Sequence, residues 1–164
     1  MAVFLPSLLH ALVYALIING YLLLLMMSVS PRIWGLQDYP ERIKQKVPPK
    51  TRREKMGSVL LGIPFLALTL GLPFVFVQLI LAGGAEPIAF GVVWLHVYGL
   101  FFLTSLVDWC LLDWLIIVRL TPRFVMIPGT EKADYRDFSH HFRAHLCGLV
   151  IMIPLSALLA WLAG

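Results

Sequence analysis

The chain reads as an all-α integral membrane protein, a bundle of four transmembrane helices. Three observations predict this. The 164 residues are 60% hydrophobic and 13% charged, with a mean hydropathy of +0.86, where soluble domains carry about a quarter charged residues. The apolar residues fall into runs near or above the roughly 20 that span a bilayer core. Backbone groups in lipid must be satisfied within the segment, which leaves helices for runs of this type.

The predicted spans are about 3–28, 57–82, 88–118 and 143–163, in one membrane domain over 1–164, with loops at 30–55 and 121–142. The first run has no Lys or Arg before it and no small-x-small cleavage site, which argues against a cleaved signal peptide. Its first basic residue, Arg32, follows it. Eight of the thirteen Lys and Arg lie in the 30–55 loop. By the positive-inside rule that loop is cytoplasmic, and both termini face outward from the cell membrane.

The second span holds Pro64 and Pro73, so it should kink and need neighbours to satisfy the freed carbonyls. The fourth holds Pro154. A short turn, GGAEP at 83–87, makes the second and third spans antiparallel neighbours. The third run, 88–120, is too long. Its 33 residues make about 50 Å of helix against about 30 Å of hydrocarbon, so its polar end should emerge near Asp108.

The halves look alike. Ser30-Pro31-Arg32 matches Thr121-Pro122-Arg123, Asp38-Tyr39 matches Asp134-Tyr135, and Ile63-Pro64 matches Ile153-Pro154. The pattern predicts two tandem two-helix repeats about an axis along the membrane normal, with chance similarity as the alternative.

The net charge is +4. The basic residues are read as topology determinants that touch anionic lipid headgroups. A short loop tied to the bilayer at both ends is a poor nucleic-acid surface, so nucleic acid is not an expected partner. Cys110 and Cys147 have no metal spacing and are read as small core residues. Phosphate-loop, dinucleotide, HExxH and GxSxG motifs are missing.

Two polar clusters carry the chemistry. At the cytoplasmic interface, Asp108, Asp113, His141 and His145 are candidate catalytic groups, with His as general base and a carboxylate fixing its tautomer. The same four are candidate ligands for a divalent metal. Arg119, Arg123 and Arg143 are candidate clamps for an anionic headgroup. His141 and His145, four apart, share a helix face if the last helix starts early enough. Asp108 and Asp113, five apart, lie about 140° apart on an α-helix and should not pair. A salt-bridge network that fixes the helix ends is the alternative. Near the other face, His10 and His96 fall at similar depth. They could hold a haem or face a quinone, or hydrogen-bond between helices, for instance to Tyr14 and Tyr98.

The stretches from Asp38-Tyr39-Pro40 to Val47-Pro48-Pro49, and from Asp113-Trp114 through Thr121-Pro122-Arg123-Phe124 to Pro128-Gly129-Thr130-Glu131, resemble a set of small bacterial four-span membrane proteins. That set has no established activity. The resemblance implies the topology and no catalytic residues.

The first functional reading is non-enzymatic: a membrane subunit or accessory protein, transport being one such role. It would act through its basic cytoplasmic face, with a protein partner or as a homo-oligomer. The alternatives are an interfacial enzyme for a lipid or isoprenoid headgroup, and a haem- or quinone-binding redox subunit.

Overall fold

Apolar runs that must satisfy their own backbone do so as helices in the computed structural model, which describes residues 4–83 and 87–164. Helix α1 spans Phe4–Ser28, and two single-turn helices follow, α2 at Pro31–Trp34 and α3 at Glu41–Lys44. Then come α4, Arg52–Gly83, and α5, Phe90–Val107. Helix α5 continues without a break as a π-helical segment, Asp108–Leu120. Two 3₁₀ turns, Arg123–Val125 and Lys132–Tyr135, lead to α6, Phe138–Ala163.

Four helices, counted among the described residues, are long and apolar enough to cross a membrane, so this is a multi-pass membrane protein with an all-α four-helix bundle. Its outer surface fits that solvent. Leu16, Leu66, Val150, Ile151 and Trp161 are all more than half exposed. The turn expected at 83–87 lies largely outside the described residues.

Two helices begin earlier than the hydropathy runs, because their polar first turns are capped. Thr51 opens α4: its Oγ1 accepts from Glu54 N, while its own N–H donates to Glu54 Oε2 at 2.7 Å. Asp137 caps α6 by accepting from His140 N.

The three inner prolines lie within continuous helices. Pro73 has no N–H for the Thr69 carbonyl one turn back. The buried Tyr14 hydroxyl donates to that carbonyl instead, at 2.9 Å. Tyr14 is therefore the neighbour that satisfies the carbonyl freed by Pro73.

The bundle core runs through Tyr14, Ile18, Phe76, Val77, Val97, Leu100 and Phe101. A second core is built by the two long connections. Leu36, Tyr39, Ile43 and Val47 from the first pack on Val125, Ile127 and Tyr135 from the second, over Met26, Leu112 and Ile117 of the bundle. Neither connection could fold alone, yet together they cap one end. Lys46 bridges Asp134 at 2.6 Å, and the Tyr39 hydroxyl donates to Val125 O at 2.8 Å.

Two of the three matched stretches take similar local structure, whereas Asp38-Tyr39 lies in a turn and Asp134-Tyr135 in a 3₁₀ helix. Ser30-Pro31 and Thr121-Pro122 each open a short helical turn, and Pro64 and Pro154 each sit inside a long helix.

Cys110 and Cys147 are exposed, not core as their sequence context implies. A helix that is apolar on every side carries little information about which side faces its neighbours.

Candidate functional site

Helix α5 fixes the depth of the site. Its 18 residues rise about 27 Å, close to the thickness of a hydrocarbon core, and Asp108 follows its last residue. The winding changes at that point. From Asp108 to Leu120 the chain is π-helical, and it ends with Thr121 N donating to Ile116 O at 2.8 Å. Thr121 closes the segment at φ 43°, a left-handed conformation that is unusual for a β-branched residue. Its hydroxyl donates to Ile117 O, which helps hold it there.

This winding turns the two aspartates toward one side of the segment. Residues five apart diverge on an α-helix but come nearly into line on an i→i+5 helix. Asp108 and Asp113 line the same cavity.

The cavity holds about 560 Å³ and lies where the bundle meets its cap. Its lining combines apolar side chains, among them Leu22, Leu25, Leu61, Phe65 and Met152, with polar and ionisable ones: Asp38, Lys50, Ser58, Ser105, Asp108, Asp113, His141 and His145. Such a mixture suits a molecule with an apolar tail and a polar head.

Asp113 Oδ1 lies 3.1 Å from His141 Nδ1. His141 is 4% exposed, and its Nε2 has no hydrogen-bond partner among the described residues. A carboxylate on Nδ1 favours the tautomer with the proton there, which leaves Nε2 as a base. One turn on, His145 Nδ1 lies 2.8 Å from Ser105 Oγ, and its ring stacks on Trp109 with centroids 5.2 Å apart. Because α6 starts at Phe138, both histidines lie on its regular turns and both line the cavity.

Lys50 is the one Lys or Arg among the described lining residues. Its Nζ donates to Ile33 O at 2.7 Å and to Ser58 Oγ at 2.9 Å. An ammonium has three donors, so one remains for a ligand. Burial pushes the Lys50 ammonium below its ordinary value, against the pull of Asp38 and Glu54. Asp38 is accessible to water in the concave wall. The surrounding protein still displaces enough water to raise its carboxyl; Lys50 opposes the rise and Asp113 adds to it. Burial also raises the Tyr39 phenol, which stays a neutral donor.

Arg119, Arg123 and Arg143 are exposed and lie outside this lining. Arg119 sits 6.0 Å from the Trp114 ring. Asp108, Asp113, His141 and His145 share the cavity without forming a metal cluster. Among the described residues no three His, Cys, Asp or Glu side chains converge to hold an ion. Lys50, Asp38, Ser58 and Ser105 are site residues that sequence reasoning missed.

His10 and His96 also meet. Their rings touch edge to face with centroids 5.5 Å apart, and His10 stacks on Phe76 at 4.8 Å. Tyr14 is turned away to Thr69.

Comparison with known protein families, curated proteins and solved structures finds no match to this chain.

Proposed function

We propose that the cavity is the site of an interfacial enzyme acting on the headgroup of a lipid or isoprenoid. The observation that carries this reading is His141, which lines an amphipathic cavity, is paired with Asp113, and has a buried Nε2 without a hydrogen-bond partner among the described residues. From sequence alone a non-enzymatic subunit comes first. An organised acid–base pair beside an ammonium moves the weight to catalysis.

In this reading the positive-inside rule puts the cap in the cytoplasm, so the cavity serves the inner leaflet. The tail lies against the apolar lining residues and the head against the ionisable ones. His141 Nε2 takes a proton from water as that oxygen attacks the ester that links the head; the ester bond to the leaving oxygen breaks, and the imidazolium returns the proton to that oxygen. Asp113 stabilises the imidazolium that forms. Lys50, which also lines the cavity, offsets negative charge that develops on the attacked group. Three carboxyl groups, those of Asp38, Asp108 and Asp113, and one ammonium line the cavity. This balance suits a neutral or cationic head better than a multiply charged anion.

The test is incubation of the purified protein with a total bacterial lipid extract, followed by mass spectrometry of every lipid class. The wild type should consume one class and generate a product. His141→Ala and Asp113→Asn should slow this about 10²- to 10⁴-fold, while Arg123→Ala leaves it unchanged. If the wild type consumes nothing, or the variants match it, the enzymatic reading fails and the subunit role takes its place.

A further inference from the structure

A second cavity of about 520 Å³ lies between α1 and α5, away from the cap. Its lining is almost wholly apolar, with Phe4, Leu8, Leu95 and Phe102 on its walls. Two polar side chains interrupt it, Ser7 from α1 and His96 from α5.

His96 is 5% exposed, and both its ring nitrogens are buried without a hydrogen-bond partner. A neutral imidazole carries one donor and one acceptor, and leaving both unsatisfied in apolar surroundings costs free energy. His10 does not relieve this, since the rings meet edge to face and no hydrogen bond links them. His96 lies six residues into α5, about 9 Å along the helix, within the hydrocarbon. A ligand there must arrive through lipid and bring a polar atom with it.

Rings in direct contact leave no slot for a porphyrin, whose axial ligands approach the iron from opposite faces. An acyl chain fills the space but leaves the nitrogens unpaired. A flat apolar ring with oxygens at its edges meets both conditions, with His96 of α5 and Ser7 of α1 as the polar side chains of the lining. We propose that this cavity binds a lipid-soluble quinone, with its ring among the apolar side chains and a carbonyl oxygen accepting a hydrogen bond from His96.

The experiment uses the full chain in mild detergent, equilibrated with decylubiquinone and passed through gel filtration. Quinone retained by the protein peak is extracted and read by absorbance. The wild type should retain about one equivalent. His96→Leu removes the donor. Gly99→Leu keeps His96 and fills the space, because a Cβ at Gly99 meets nothing within 4 Å. Both variants should lose at least 90% of the retained quinone. Should His96→Leu misfold, Gly99→Leu decides alone. No retention by the wild type, undiminished retention by a folded variant, or equal displacement by a plain phospholipid each overturns the proposal.

Discussion

His141 Nδ1 lies 3.1 Å from Asp113 Oδ1, and the π-helical segment sets where along α5 that carboxylate projects. The pairing fixes the imidazole proton on Nδ1. In its neutral form the His141 ring should therefore carry its proton on Nδ1 and not on Nε2, which the ¹⁵N spectrum of selectively labelled histidine reads. Asp113→Asn should lose that preference and populate the other tautomer.

Tyr14 and Pro73 are linked through the Thr69 carbonyl. Tyr14→Phe should cost about 1 to 2 kcal/mol, because it leaves a buried carbonyl unpaired in lipid. Pro73→Ala restores an N–H that can reach Thr69. In that background Tyr14→Phe should cost close to nothing. Thermal unfolding of the four proteins gives the cycle. Additive effects would mean that the hydroxyl is not serving the freed carbonyl.

Asp38 makes stability depend on pH in a defined direction. Its carboxyl is raised in the folded protein, so the folded state disfavours the charged form. Below the ordinary value of 3.8 both states are protonated and the penalty is absent; it grows as pH rises through the elevated folded value. Asp38→Asn should therefore melt higher than the wild type at pH 7, and the gap should close toward pH 4. A constant gap across that range would contradict the placement of Asp38.

Tyr39 and Tyr135 meet edge to face, centroids 5.2 Å apart at 85°, and hold the two connections together over the cavity. Tyr39→Phe should cost about 1 kcal/mol through the lost bond to Val125. Tyr39→Ala should cost about 3 to 5 kcal/mol, as for other large core aromatics. Chemical denaturation that reports on the cap, for instance through Trp34 fluorescence, measures both.

The four helices were legible because long apolar runs admit one backbone solution in lipid. The ends were less so, since Thr51 and Asp137 start α4 and α6 in polar sequence that hydropathy excludes. Half of the site was legible too. Asp108, Asp113, His141 and His145 stand out as ionisable groups near a membrane boundary. Lys50 did not, because the fold of the Pro48-Pro49 segment alone brings it back to Ile33 and Ser58. The recurring Asp38-Tyr39 and Asp134-Tyr135 pair was the available signal for the cap, but nothing local says that the two tyrosines touch. The π-winding was hidden for a related reason. Two aspartates five apart suit it, yet helix propensity does not encode it.

The most direct test of the central claim, a lipid-binding catalytic cavity at the cap, is native mass spectrometry from mild detergent of the wild type and of Gly148→Leu. Gly148 lines the cavity, and a Cβ there meets nothing within 4 Å. The account predicts a lipid-mass adduct on the wild type that survives activation and is lost in Gly148→Leu but kept in Gly99→Leu. A bare wild-type mass, or an adduct that Gly148→Leu keeps, would contradict it.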